Sequence, residues 1–256
     1  MARPMDYMKV TAADLIQRTM GNRGDFSDLA IETARVEPNA LPTEVCATLR
    51  SRIDDLLAGG APGRVWQDKV GADMRIFGLE AYIDDLIDYF HIPENIRNVE
   101  AYVGRRVRSW TLMANRITPK ADNLGSGGGL HRDSPFSHQV KSIWYLSDVG
   151  EENGPFQFVR GSHRDLVRQR HKYPLGVYRF DKVADPLTSV TGPAGTRLIC
   201  NTRCIHGGKP IVDGARYAVT LYTFYDGDGT RRFFASAGLD PAQASSPGTE
   251  YARRAH

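Results

Sequence analysis

Apolar residues in the first hundred positions recur at helical spacing. A helix is predicted from Pro42 to position 58, ended by two glycines, with one apolar face made of Val45, Leu49, Ile53, Leu56 and Leu57. A second helix is predicted over Leu79–Phe90, with Pro93 just beyond it. The intervening segment up to Arg75 is rich in basic and aromatic residues and is interpreted as an irregular loop.

After about residue 98 the pattern changes to alternating, β-branched and aromatic segments separated by Gly, Pro, Asn and Asp. The predicted strand segments are 105–118, 139–149, 156–159, 177–180, 196–200 and 216–225. Helices followed by many short strands indicate a mainly β fold, an antiparallel sandwich or barrel with helices packed on one side. We expect one domain over 1–256: a helical part of about 1–100, a β core of about 101–226 and a polar tail, 227–256, whose last stretch is poorly ordered.

Composition narrows the class of protein. The chain has 256 residues, long enough to bury a core without disulfides or structural metals. Its 33 Lys and Arg against 30 Asp and Glu leave a net charge of only +3, which argues against nucleic-acid binding. Neither a membrane-spanning apolar run nor a secretory leader is visible, and three cysteines make no disulfide framework. We therefore expect a cytoplasmic protein with no membrane partner and a small-molecule substrate.

The chemistry is concentrated around two histidines and an aspartate. In an extended strand His131 and Asp133 project to the same face, so an imidazole and a carboxylate can converge on one point. His206 supplies a second imidazole. Two histidines and one carboxylate form the facial triad of non-haem Fe(II) oxygenases, which leaves coordination positions open for substrates.

A single His-x-Asp pair is more often a surface hydrogen bond than a metal site, so a further element is needed. Arg216 opens a predicted strand and could hold a distal carboxylate through two hydrogen bonds. The spacing of Cys200, Cys204 and His206 resembles a zinc site only weakly, because structural zinc sites use tighter pairs and four ligands.

Seven elements in this order resemble the phytanoyl-CoA dioxygenase family. They are His131-Arg-Asp133, Trp144-Tyr-Leu-Ser-Asp-Val149, Glu152-Asn-Gly-Pro-Phe156, Val159-Arg-Gly-Ser-His163, Ala194-Gly-Thr-Arg-Leu198, His206-Gly-Gly and Arg216-Tyr. The resemblance covers roughly 112–225 and implies a double-stranded β-helix, or jelly-roll, core with N-terminal helices.

The resemblance also implies the cofactors and their ligands. His131, Asp133 and His206 would bind Fe(II), and Arg216 would bind the distal carboxylate of the co-substrate 2-oxoglutarate. Trp144 would line the 2-oxoglutarate pocket, although a core position in a sheet is an equal alternative. The implied reaction with O2 is hydroxylation of a substrate C–H, with succinate and CO2 released. Because Asp133 is present, hydroxylation is favoured over halogenation.

The substrate is the least determined feature. Ser134 and Phe136 follow the ligand pair, and Arg64 and Trp66 belong to the basic loop; all four are candidate substrate contacts. If these residues face the site, a small polar or anionic metabolite or sugar fits best, with an acyl-CoA second. A solvated basic loop, a different oxidative outcome (desaturation, cyclisation or epimerisation) and an inactive jelly-roll binding module remain alternatives. The glycine run 125–129 is either a gate over the iron or a turn.

Overall fold

The computed structural model describes residues 4–226 and 228–240, so the end of the predicted polar tail lies outside the described residues. Its α-helices are α1 (Pro4–Met20), α2 (Leu29–Glu32), α3 (Thr43–Asp55), α4 (Ile92–Val103) and α5 (Gly229–Ser236). Its strands are β1 (Ala34–Glu37), β2 (Val65–Gln67), β3 (Asp73–Phe77), β4 (Ser109–Ile117), β5 (Val140–Tyr145), β6 (Phe156–Phe158), β7 (Thr188–Val190), β8 (Arg197–Asn201), β9 (His206–Gly208) and β10 (Arg216–Phe224).

The strands form two antiparallel sheets, in agreement with the predicted mainly β class. The large sheet has seven strands in the order β1-β8-β5-β10-β4-β3-β2, and the small sheet has three in the order β7-β6-β9. From β1 to β4 across the large sheet no two neighbouring strands are consecutive in the chain, which is typical of a jelly roll rather than of a series of hairpins. The described residues contain no helix long and apolar enough to cross a membrane.

The first predicted helix is confirmed, whereas the second is wrong. In place of an α-helix over Leu79–Phe90 the chain forms two 3₁₀ turns, Leu79–Tyr82 and Ile87–Phe90. The buried carboxylate of Glu80 accepts hydrogen bonds from the hydroxyl of Thr111 and the backbone N–H of Leu112, which holds the first turn on β4. Tertiary hydrogen bonds thus override the local helical pattern.

Helix α4, which follows these turns, was not predicted. Pro93 lies in its first turn, where the missing N–H costs nothing, so the proline marks the beginning of a helix and not a position beyond an ended one.

The segment predicted as an irregular loop contains a hairpin. Strands β2 and β3 pair antiparallel, with Trp66 opposite Arg75, and extend the edge of the large sheet. Paired residues lie on the same face, so Trp66 and Arg75 are side by side. The predicted strand at 177–180 is also wrong, because the bridge between Arg179 and His131 is its only strand-like pairing among the described residues. Strands β1, β7 and β9, of three or four residues, were not predicted.

The two faces of the large sheet have different roles. One face packs on α3 and the 3₁₀ turns through a large apolar cluster, in which the rings of Trp144 and Phe90 meet edge to face with centroids 5.0 Å apart. The other face packs on the small sheet, through a cluster that joins Tyr145 and Leu198 to Phe156 and Phe158. The space between the two sheets opens into the candidate active site.

Candidate active site

His131, Asp133 and His206 meet at one point, although the last is distant in sequence. The backbones of His131 and His206 are bridged by hydrogen bonds of 2.7 and 2.8 Å between their N–H and C=O groups. One ligand atom from each of the three side chains lies within 4.8 Å of the other two. The structure therefore brings together the three side chains that the sequence predicted to converge.

The orientation of each imidazole is set by the backbone. Nδ1 of His131 donates to the carbonyl of Gly129 at 2.9 Å, and Nδ1 of His206 donates to the carbonyl of Cys204 at 3.0 Å. In the neutral form of each ring Nε2 therefore lacks a proton, and both Nε2 atoms face Asp133, at 3.8 Å for His131 and 3.5 Å for His206. A proton fixed on the outer nitrogen is the arrangement in which histidine binds a metal.

Charge at the triad is set by burial and by a lysine. Burial opposes ionisation of Asp133, but Lys141 and the neighbouring histidines hold the pKa of its carboxyl well below the ordinary value. Burial, followed by the proximity of His131, lowers the pKa of His206 to about 3. Burial also lowers the pKa of His131. At neutral pH the triad therefore consists of two neutral imidazoles and a carboxylate, which is the ionisation state that a divalent metal needs.

Lys141 was not identified from the sequence, yet it is the nearest cation to the triad. Its ammonium nitrogen lies 2.6 Å from Oδ2 of Asp133, and His138 Nε2 lies 3.6 Å from Oδ1 of the same carboxylate. Burial would lower the pKa of Lys141, but the carboxylate of Asp133 raises it above its ordinary value. The sequence signal for it was a single charged residue within the predicted strand 139–149 before its last residues, at a position that β5 buries.

A cavity of about 320 Å³ extends from the triad between the two sheets. Four cations line it, namely Arg75, Lys141, Arg179 and Arg216. Among the described residues Asp133 is its one acidic lining residue. The cavity is thus suited to anions.

Arg216 is the most deeply placed of these arginines. It is 4% exposed, and burial lowers its pKa. It donates to the carbonyl of Gly154, while its Nε has no hydrogen-bond partner and it forms no salt bridge within the described residues. A buried guanidinium without a carboxylate partner is unfavourable unless a ligand supplies one. The distal carboxylate of 2-oxoglutarate fits this position.

Trp144 does not lie where the resemblance implied. Its side chain packs in the helix-facing cluster beside Phe90, whereas its neighbours Ile143 and Tyr145 line the cavity. Successive residues of a strand point to opposite faces, so a position adjacent to a lining residue is directed away from the site. Trp144 is therefore a core aromatic, the alternative noted from the sequence.

The four candidate substrate residues also lie outside the cavity lining. Arg105 binds the carbonyls of Pro135 and Phe136 and stacks on the Phe136 ring, which carries the chain away from the triad directly after Ser134. Arg64 lies against the ring of Phe234.

Trp66 does not line the cavity but contacts a residue that does. The guanidinium of Arg75 lies 4.9 Å from the Trp66 ring centroid, and Arg75 also forms a 2.5 Å ion pair with Asp73. Trp66 thus supports a residue that lines the cavity. Of the basic loop, Arg75 is the residue that reaches the site among those described.

The glycine run is a turn packed against the metal site. A Cβ on Gly127 would lie 2.5 Å from Cε1 of His131, and one on Gly125 would lie 2.0 Å from the carbonyl oxygen of Gly208. Both residues also have positive φ, at 85° and 75°, which L side chains rarely adopt. These glycines allow the backbone to approach His131 and β9, which explains their presence without a gate.

Comparison with known proteins agrees with this geometry. Residues 34–216, from β1 to the start of β10, match the phytanoyl-CoA dioxygenase (PhyH) family. The chain belongs to the phytanoyl-CoA dioxygenase family. Family membership makes it an oxidoreductase of the dioxygenase class, which uses Fe(II), 2-oxoglutarate and O2. The match includes β1, β2 and β3, so the family resemblance extends further toward the N-terminus than the motifs indicated.

The individual proteins and solved structures that resemble this chain have low sequence identity to it. The L-proline trans-4-hydroxylase of Streptomyces griseoviridis is 23% identical over 217 residues, or 73% of this chain and 80% of the relative. HygX from Streptomyces hygroscopicus, solved with nickel and 2-oxoglutarate, is 18% identical with a TM-score of 0.55 over 79% of this chain and 86% of that one. The epimerase SnoN, solved with Fe3+, alpha ketoglutarate and nogalamycin RO, is 18% identical with a TM-score of 0.58 over 84% of each chain. The structural likeness supports the jelly-roll fold.

Proposed function

We propose that this dioxygenase hydroxylates a C–H of a small anionic metabolite, with 2-oxoglutarate as co-substrate and with succinate and CO2 as co-products. The observation that carries the proposal is one cavity lined by the His131–Asp133–His206 triad and by Arg216, a buried cation without an acidic partner in the described residues.

The donor set supports Fe(II) as the metal. Two neutral imidazoles and one carboxylate, grouped on one side of the centre, suit an iron that keeps positions open for other ligands. Fe(II) and 2-oxoglutarate together supply the activation of O2. The residues themselves would hold the metal, and both Nδ1 atoms donate their protons to backbone carbonyls.

Arg216 is the proposed binding residue for the distal carboxylate of 2-oxoglutarate. It is the first residue of β10, opposite Ile117 at the end of β4, and it lines the cavity. Tyr145, whose hydroxyl donates to the carbonyl of Val190, lines the wall beside it. A guanidinium presents two parallel N–H donors to a carboxylate, which positions the co-substrate as well as binding it.

The remaining charge supports an anionic substrate. Arg216 and the metal would neutralise 2-oxoglutarate, while Lys141 and Arg179 stay on the wall with Asp133 as the one acidic lining residue described. An anionic substrate, added to 2-oxoglutarate and Asp133, would offset this excess of positive charge. The L-proline hydroxylase relative acts on an amino acid, a molecule of this size that carries a carboxylate.

Anaerobic addition of Fe(II) and 2-oxoglutarate tests the cofactor assignment. A visible charge-transfer band should appear with the wild-type protein and should be absent from His131→Ala. The matched control is His171→Ala, on an exposed turn outside the cavity, which should keep the band. A folded wild-type protein without a band would contradict the proposal, and product analysis under O2 separates hydroxylation from desaturation, cyclisation or epimerisation.

A further inference from the structure

Lys141 lies in a position that needs a functional explanation. It is 7% exposed in the middle of the large sheet, and its ammonium nitrogen contacts the carboxylate of Asp133, a proposed metal ligand, at 2.6 Å. A buried lysine is rare and costly unless it is paired. Lys141 also lines the cavity, so its ammonium group is placed to contact an anion bound there.

Strand register separates Lys141 from the co-substrate site. Lys141 lies opposite Tyr222 on β10, whereas Arg216 is the first residue of the same strand. Six residues of strand span about 20 Å, so the backbone positions of these two residues lie toward opposite ends of β10. A co-substrate held by Arg216 therefore leaves Lys141 available to a second molecule.

Aromatic rings enclose the space around Lys141. Its ammonium nitrogen lies 4.7 Å from the Tyr222 ring centroid, and the Phe233 ring packs on Tyr222 at 4.5 Å. His138 packs on both rings, at 5.7 and 6.1 Å. Phe233 belongs to α5, which follows the residues that match the family.

We propose that Lys141 binds a carboxylate group of the substrate and that Phe233 covers the carbon skeleton attached to it. A single ammonium matches the single charge of a carboxylate, and the rings of Tyr222 and Phe233 suit an apolar or cyclic body. Arg75, another basic residue of the cavity lining, is already paired with Asp73. This inference rests on the proposed function and specifies its substrate class.

The test uses protein loaded with Ni(II) and 2-oxoglutarate, which cannot turn over, and measures ligand affinity by calorimetry. The probes are L-proline, D-glucuronate and phenylacetate, each compared with its amide, and glucose 6-phosphate compared with glucose. We expect at least one carboxylate to bind wild-type protein about 10-fold or more tightly than its amide. Lys141→Met should abolish that preference, and Lys141→Arg should restore part of it.

Two further variants make the result specific. Lys69→Met removes an exposed lysine outside the cavity and should bind like the wild type. Phe233→Ala should weaken binding of the preferred carboxylate and of its amide by a similar factor, leaving the preference for the acid unchanged. Lys141→Gln provides a second neutral variant with a polar end if Lys141→Met folds poorly.

The outcomes separate this inference from the proposed function. A wild-type protein that prefers no carboxylate over its amide, or that prefers the phosphate, overturns the carboxylate assignment. A preference that survives in both neutral variants overturns the role of Lys141. The charge-transfer band of the wild-type protein with Fe(II) and 2-oxoglutarate is recorded without these probes, so its presence leaves the cofactor assignment intact in either case.

Discussion

The imidazole of His206 stacks on the phenyl ring of Phe156, with centroids 5.4 Å apart and planes 23° from parallel. Phe156 lies on β6 and His206 on β9, and the two strands pair within the small sheet. The stack and the hydrogen bond to the carbonyl of Cys204 together leave the imidazole little freedom. The small sheet thereby positions one ligand of the proposed iron.

Phe156→Ala should loosen His206 and weaken metal binding by about 10-fold, because supporting residues around a metal contribute on that scale. Titration with Co(II) monitored by visible absorption measures the affinity. Phe156→Leu fills more of the space and should lose less metal affinity, and Phe90→Leu, in the helix-facing cluster, provides the control. Unchanged affinity in Phe156→Ala would show that the stack has no positioning role.

Arg216→Ala should weaken 2-oxoglutarate binding by about 10- to 100-fold, the range expected for a lost charged hydrogen-bond pair. Iron affinity should stay near that of the wild type, because Arg216 is not among the triad ligands. Arg216→Lys keeps the charge but loses the paired donors of the guanidinium. Its affinity for 2-oxoglutarate should lie between those of the wild type and Arg216→Ala. Equal loss of iron and co-substrate binding would contradict the assigned role.

Trp144→Phe should lower the free energy of unfolding by about 1–2 kcal/mol, less than the 3–5 typical of truncating a buried aromatic to Ala. The ring lies on the helix-facing side of β5 against Phe90, so the affinity for 2-oxoglutarate should change less than about twofold. Urea unfolding and the charge-transfer titration measure the two quantities. A large loss of affinity for 2-oxoglutarate at unchanged stability would show instead that Trp144 contributes to the 2-oxoglutarate pocket.

His163 should make stability fall in acid. Burial lowers its pKa to about 3 from the ordinary 6.5, and Thr33 contacts its Nδ1 at 3.1 Å. At a pH between these two pKa values His163 is protonated in the unfolded chain but not in the folded protein. The free energy of unfolding therefore decreases as the pH falls below 6.5.

This histidine contributes up to about 1.4 kcal/mol per pH unit to that decrease. In His163→Gln, urea unfolding at about pH 7 and about pH 5 should therefore show a smaller difference than in the wild type. His171→Gln, on an exposed turn, should keep the wild-type difference. If the free energy of unfolding depended equally on pH in all three proteins, His163 would not be the group responsible for that dependence.

Sequence and structure agree best where residue identity carries the chemistry. His131, Asp133 and His206 were grouped because imidazole and carboxylate are the ligands that such a metal takes, and the fold brings them within reach of one another. Helix α3 was predictable because its apolar positions repeat over several turns. The 3₁₀ turns at 79–90 were not, because Glu80 takes its partners from β4, distant in sequence.

The amino-acid sequence alone determined the mainly β class, the residue types of the proposed iron site and the cation at 216. Tertiary structure alone decided that Lys141 and Phe233 face the cavity while Trp144 faces the helices. The reason is geometrical. Adjacent residues of a strand point to opposite faces, so the inward face depends on which elements cover the sheet, and that choice is made by packing between parts of the chain that no local pattern connects.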